Sequence, residues 1–264
     1  MSDYVTAAIL GIVEGLTEFL PISSTGHLIL ANKMLGLNEA DWATFDIMIQ
    51  LGAILAIVCL YFQRLWNVLI GLPSSPAARQ FALVILLALV PSLVLGAVFG
   101  GMIKDLLFSP LVVGITLILG GVVILIVEAM APKMIYREVE AVPARTAIAI
   151  GFAQAVAMIP GTSRSGATII GGMLLGLERK TAAEFSFFLA IPTMLAAFAH
   201  EAYSNRHTLD FSHAGVIAVG FAVSFVSALL VVKPFLNLIG RFGFAPFAYY
   251  RVALGALVLT LLWL

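Results

Sequence analysis

Glu14-Gly15-Leu16-Thr17-Glu18, running into Pro21-Ile22-Ser23-Ser24-Thr25-Gly26-His27, and Pro160-Gly161-Thr162-Ser163-Arg164-Ser165-Gly166-Ala167-Thr168 are two polar, glycine-punctuated strings in a chain otherwise made of hydrocarbon. The 264 residues are 62% hydrophobic and only 11% charged, with a mean hydropathy of +1.10. Soluble domains carry about 25% charged residues, so the solvent for most of this surface is lipid. Apolar runs long enough to cross about 30 Å of hydrocarbon as helices recur along the chain, and none alternates as a barrel strand does. The fold class expected is an all-α polytopic membrane protein forming a single integral membrane domain over residues 1–264.

Spans are expected at 43–64, 81–100, 111–131, 181–203, 213–237 and 244–264, which makes six transmembrane helices. Two further stretches, 4–37 and 145–178, are each interrupted by a polar string and a proline. The arms that remain are roughly 15 residues long, which suits broken re-entrant helical hairpins better than full crossings. The halves echo each other at an offset of 140: Ser23-Ser24-Thr25-Gly26 falls on Ser163-Arg164-Ser165-Gly166, Phe45 on Phe185, and Leu55-Ala56 on Leu195-Ala196. One hairpin plus three spans per half, three being odd, implies an inverted-topology repeat, with repeat 1 over about 1–131 and repeat 2 over about 145–264. Nine Lys/Arg (Arg64, Arg79, Lys133, Arg137, Arg145, Arg179, Lys180, Lys233, Arg241) then share one side, against three (Lys33, Lys104, Arg206) on the other. The positive-inside rule makes the first side cytoplasmic, so the first hairpin, both termini and the loop at 204–212 are expected to be extracytoplasmic.

Net charge is zero, with no sustained basic run, which argues against a nucleic-acid partner. The first apolar stretch lacks a basic n-region and contains Glu14 and Glu18, so it is expected to stay in the mature protein. The single cysteine, Cys59, excludes an internal disulfide and a thiolate metal cluster.

Ionisable groups are expensive in lipid, so the polar strings mark the working site. Glu14 and Glu18, four apart, share one helix face. They either share a proton or jointly hold a divalent cation, Mg²⁺ or Ca²⁺. Pro21 ends the first arm, and the hydroxyls of Ser23, Ser24 and Thr25 beside Gly26 can cap the next helix or bind an anion. Ser24 or Ser23 can act as nucleophile if His27 or Glu18 takes its proton, and His27 or a metal-bound water are alternative attacking groups. The planar fork of Arg164 suits two phosphate oxygens; a salt bridge to Glu14 or Glu18 is the structural alternative. Ser163, Ser165, Thr168 and the amides around Gly161 and Gly166 complete an oxyanion-binding nest. Gln154 is a neutral counterpart of the glutamates, and Asp46 with Gln50 lines an entrance or simply a helix end. Glu128, Glu138, Glu140, Glu178 and Glu184 are expected to be solvated, and His200, His207 and His213 are too loosely spaced to claim a metal.

With these residues in place, the chain resembles, over essentially its whole length, the undecaprenyl-diphosphate phosphatase family, integral membrane enzymes associated with bacitracin resistance. The Glu/Gln-x-x-x-Glu motif matches at Glu14 to Glu18, and Pro-Gly-x-Ser-Arg-Ser-x-x-Thr at Pro160 to Thr168. The family histidine corresponds to His27 and its proposed nucleophilic serine to Ser24. The resemblance implies hydrolysis of undecaprenyl diphosphate to undecaprenyl phosphate and inorganic phosphate, recycling the lipid carrier for peptidoglycan synthesis and conferring bacitracin resistance. It also implies a divalent cation, a polyprenyl diphosphate substrate met among membrane lipids, and a site open to the extracytoplasmic side of a bacterial plasma (inner) membrane. A homodimer is open as the assembly. The rival class is a lipid or anion transporter or flippase, since inverted repeats with broken helices meeting at the midplane are that architecture's signature.

Overall fold

The structure is a computed structural model and describes residues 2–37, 39–107, 109–204 and 214–262. It contains eleven α-helices among the described residues: α1 (Asp3–Thr17), α2 (Ser24–Leu35), α3 (Glu39–Leu60), α4 (Phe62–Gly71), α5 (Pro76–Leu107), α6 (Pro110–Met130), α7 (Ala144–Ala155), α8 (Arg164–Leu174), α9 (Arg179–Ser204), α10 (Ala214–Phe242) and α11 (Ala245–Leu262). The loop expected at 204–212, with Arg206 and His207, lies outside the described residues from 205 onward, as does His213.

Five helices, α5, α6, α9, α10 and α11, are long and apolar enough to cross a membrane, and α3 with α4 makes a sixth apolar stretch. At 1.5 Å per residue the 21 residues of α6 reach about 30 Å, one hydrocarbon thickness. The arms α1, α2, α7 and α8, of 15, 12, 12 and 11 residues, reach only about 16–23 Å. Each pair therefore folds back as a hairpin, as the interrupted pattern predicts.

The span expected over 43–64 is the main departure. It stops at Leu60 and turns by 73° into α4, whose Phe62, Trp66, Leu69 and Ile70 are exposed. Its polar residues Gln63, Arg64 and Asn67 line a cavity with Glu140 instead. Such a helix, apolar on one face and polar on the other, suits the membrane interface. Arg64 bonds Glu140 at 3.0 Å and Glu184 at 3.2 Å, with its guanidinium 4.9 Å from the centre of the Phe188 ring. Glu128 likewise accepts from Arg179 at 2.6 Å and from the Phe244 amide at 2.9 Å. These three glutamates tie helix ends together, where simple solvation was expected.

The hairpins are clasped by spans distant in sequence: α1 packs on α10 and α7 on α5, while α6 packs on α11. Small residues permit it, as membrane helices lacking a hydrophobic drive require. A Cβ on Gly11 would stand 2.6 Å from the Gly220 carbonyl oxygen, and one on Gly151 would stand 2.3 Å from that of Ala88. Gly11 and Gly151 are themselves 140 apart in the chain.

Candidate functional site

The two hairpin turns meet inside the bundle. In each, a serine just before the second arm has a positive φ, 71° at Ser23 and 75° at Ser163. That conformation costs a non-glycine residue roughly 1–3 kcal/mol, and such strain concentrates at functional sites. Both serines are N-caps: Ser23 Oγ accepts from the Gly26 amide at 3.3 Å and Ser163 Oγ from the Gly166 amide at 3.0 Å. Two helix starts, those of α2 and α8, thus converge with their partial positive charge, an arrangement made for an anion.

Between them lies a cavity of about 160 Å³ lined by Glu18, Ser23, Ser24, Thr25, Gln50, Ala157, Met158, Pro160, Gly161, Ser163, Arg164 and Met194. Drug-sized ligands need roughly 300–1,000 Å³, so this volume fits a small polar head and not a polyprenyl chain. A second, more apolar cavity of about 180 Å³, lined by Ile47, Gln50, Leu51, Met194, Ala197 and Phe198, shares Gln50 and Met194 with it and continues between α3 and α9.

Glu18 is the junction. One carboxylate oxygen, Oε2, accepts a hydrogen bond from the Ser24 hydroxyl. The other, Oε1, accepts from Arg164 Nη2 at 2.8 Å, an ion pair whose side chains are 7% and 15% exposed. Arg164 Nη1 donates to the Ser186 carbonyl at 2.8 Å, and its Nε is buried without a partner. The salt bridge considered for Arg164 is therefore present, and it joins the second hairpin to the candidate base of the first.

Other candidates stand behind the cavity wall. Ser165 donates to the Leu20 carbonyl at 2.7 Å and lies 3.0 Å from Ser163 Oγ, so it fastens one turn to the other. Thr168 bonds the Arg164 carbonyl within its own helix at 2.8 Å. Gly26 and Gly166 serve the caps. Both ring nitrogens of His27 are engaged away from Ser24: Nδ1 with the Ser23 carbonyl at 2.7 Å and Nε2 with the Tyr250 hydroxyl at 2.7 Å. Glu18, not His27, accepts the hydrogen bond of the Ser24 hydroxyl.

Glu14 is fully buried and faces the carboxylates of Glu18 and Asp46, and among the described residues neither of its oxygens makes a well-formed hydrogen bond. The Glu14 oxygens beside Glu18 are hard donors of the kind Mg²⁺ and Ca²⁺ take. No group of three or more His, Cys, Asp or Glu side chains is placed to hold a metal among the described residues. Glu14 and Glu18 are the hard donors at this place, and any further ligand to a cation would have to come from outside this pair.

Sequence reading passes over Arg251 and Tyr250 on α11, which reach the two turns and His27 respectively. The signal was available, since an arginine inside an apolar span needs an explanation. Its carbonyl partners, scattered over three segments, were not legible.

A profile of the family described as Bacitracin resistance protein BacA matches residues 7–257. The chain belongs to that family. It is similar over 99% of its length to a Rhodopseudomonas palustris (strain BisA53) protein named Undecaprenyl-diphosphatase, 53% identical with 98% of that protein covered. Proteins of the same name from Caulobacter sp. (strain K31), 48% identical over 100% of this chain and 99% of theirs, and Nitrobacter hamburgensis, 52% identical over 99% and 98%, agree.

Proposed function

We propose that this membrane protein hydrolyses undecaprenyl diphosphate to undecaprenyl phosphate and inorganic phosphate. The observation that carries it is Glu18 bonded at once to the Ser24 hydroxyl and to Arg164. A base, a nucleophile and a phosphate clamp are joined through one carboxylate.

The diphosphate head occupies the cavity between the turns, with the first prenyl units in the apolar continuation between α3 and α9. Arg164 exchanges Glu18 and the Ser186 carbonyl for terminal phosphate oxygens, helped by the starts of α2 and α8. Glu18, freed of its cation, takes the Ser24 proton as Ser24 Oγ attacks the terminal phosphorus in line. The bond from that phosphorus to the bridging oxygen breaks, and polyprenyl monophosphate leaves. Water then attacks the phosphoserine, Glu18 gives its proton to the departing Ser24 oxygen as the Ser24 oxygen–phosphorus bond breaks, and the water's remaining hydrogens leave on the freed phosphate or to solvent. Glu14, with Glu18 beside it, would hold a divalent cation, which when bound offsets negative charge on the diphosphate. His27, anchored by Ser23 and Tyr250, braces the first turn of α2.

We further propose that the hairpins enter from opposite faces as an inverted repeat and that the site opens on the extracytoplasmic side of the plasma membrane. The nine-to-three loop charge asymmetry and the matched Ser23 and Ser163 caps support this. The test is purified protein in detergent, given polyprenyl diphosphate with Mg²⁺ or with chelator and scored for released phosphate. The expected result is cation-dependent release, with phosphate trapped on Ser24 after rapid quench. No release by the wild type, or undiminished release by Ser24→Ala, refutes the assignment.

A further inference from the structure

Arg251 is 1% exposed, and each of its five N–H donors meets a backbone carbonyl. Nε reaches Leu117 at 3.3 Å, Nη2 reaches Thr116 at 3.1 Å and Gly161 at 3.0 Å, and Nη1 reaches Pro21 at 3.0 Å and Thr162 at 2.9 Å. A guanidinium has five donors in a rigid fork, so every one is used. Two acceptors belong to α6, one to the first hairpin turn and two to the second. No ion pair to a carboxylate is recorded for it among the described residues.

The surrounding sequence is shaped to admit this group. A Cβ on Gly120 would stand 2.1 Å from Arg251 Nη2 and 2.7 Å from its Cζ, and one on Gly166 would stand 3.3 Å from Nη1. The α6–α11 seam is close because Gly121 would meet the Ala248 carbonyl at 2.7 Å and Gly255 that of Gly114 at 2.7 Å, were either to carry a Cβ. Any other side chain at Gly120 occupies the place of the guanidinium.

The bonded carbonyls lie beside the reacting groups. Pro21 is three residues before Ser24, and Thr162 is two before Arg164. Among the described residues, the other ties between the turns are the Ser165 bond to Leu20 and the Arg164 pair with Glu18. The second of these is the contact that a bound phosphate must break. During turnover, Arg251 and Ser165 are left to hold Ser24 in line with the clamp.

We propose that Arg251 is a positioning residue: its fully bonded guanidinium sets the register of the two hairpin turns against α6, and so the alignment of Ser24 with a phosphate held by Arg164. The proposal rests on the phosphatase reading of the cavity. It does not require Arg251 to touch substrate, and Arg251 is not among the residues lining the cavity.

The experiment uses Arg251→Lys, Arg251→Gly and Gly120→Ala in the full chain, purified in detergent, with two readouts. Kinetics with polyprenyl diphosphate should show kcat down about 100-fold for Arg251→Lys with KM nearly unchanged, the effect expected of misalignment by about 1 Å. Guanidinium at millimolar concentration should restore part of the kcat of Arg251→Gly, and methylammonium should not. Gly120→Ala, which keeps the arginine but displaces it, should lower kcat in the same direction. Hydrogen exchange should accelerate in peptides covering residues 18–26 and 158–166 but not in those from α10. Wild-type kcat in folded Arg251→Lys, no preference for guanidinium, or unchanged exchange at both turns would overturn the proposal. Loss of the folded bundle in all three variants overturns it too, since it would make Arg251 a determinant of assembly and not of register. A wild type that releases no phosphate refutes the phosphatase reading, and the exchange measurement still judges the register.

Discussion

Replacing Arg164 by lysine separates charge from geometry. In the resting protein the guanidinium is held by Glu18 at 2.8 Å and the Ser186 carbonyl at 2.8 Å, so phosphate capture exchanges two bonds for two. Charge-assisted bonds contribute about 1.5–3 kcal/mol each. A lysine keeps the positive charge opposite Glu18 but loses one prong of the fork, so kcat/KM should fall about 10- to 150-fold at 1.36 kcal/mol per decade. Arg164→Ala loses both prongs, about 3–6 kcal/mol or roughly 10²–10⁴-fold. It also strands Glu18, which is 7% exposed, and breaking a buried pair on one side costs about 3–5 kcal/mol of stability. The alanine variant should therefore unfold earlier while the lysine variant should not. The assay is phosphate release from polyprenyl diphosphate across substrate concentrations, beside thermal unfolding in the same detergent. Arg164→Lys within three-fold of wild type, or Arg164→Ala keeping a tenth of wild-type kcat/KM, refutes the clamp.

Glu18→Gln keeps a hydrogen-bonding group beside Ser24 and Arg164 but loses the counter-charge and cannot take a proton; the unfolding midpoint should fall, as for Arg164→Ala, and in the folded protein kcat should drop about 10²–10⁴-fold, so a folded variant with more than a tenth of wild-type turnover contradicts its role as base. Glu14→Gln removes a fully buried carboxylate that faces the Glu18 and Asp46 carboxylates. It should leave the bundle at least as stable while raising the Mg²⁺ or Ca²⁺ concentration for half-maximal rate about ten-fold, and an unchanged cation titration excludes Glu14 as a ligand. Gly15→Ala would place a methyl 2.3 Å from the Ser224 carbonyl oxygen; lifting α1 from α10 should cost about 1–3 kcal/mol in denaturant or thermal unfolding.

The helices were legible because lipid enforces a simple rule: about 20 apolar residues for a crossing, and fewer, interrupted by a proline, for a hairpin. The end of α3 was not, because Tyr61 and Phe62 continue the apolar run and the 73° turn depends on Arg64 finding Glu140 and Glu184, residues 76 and 120 positions away. In the site, residue types announced the chemistry but not the pairings. His27 stands three positions after Ser24, yet α2 carries its ring toward Tyr250. Ser165 and Thr168 look like phosphate ligands in the motif, but cap geometry turns Ser165 to Leu20 and Thr168 back on its own helix. Arg251 shows the limit most clearly: an arginine in an apolar span flags itself, but no sequence pattern says that backbone carbonyls of three segments will satisfy it.

The hairpins have the same local geometry but different chemistry, and that difference weighs against a carrier. Position 14 and position 154 correspond at the offset of 140, as do the two capping serines. Gln154 is neutral and satisfied on its donor side, giving hydrogen bonds to Ser92 at 2.7 Å and Thr193 at 3.3 Å. Glu14 keeps a carboxylate that faces Glu18 and, among the described residues, makes no well-formed hydrogen bond. A transporter that presents one site alternately to two faces needs a clamp for its anion, which Arg164 and the two helix starts would supply. It has no use for a carboxylate that orients a serine hydroxyl. Glu18 does so while also pairing with Arg164, so that in the proposed mechanism an anion arriving on Arg164 displaces the carboxylate just where a proton is to be removed from Ser24. That coupling of capture to activation is what cleavage requires and transport does not.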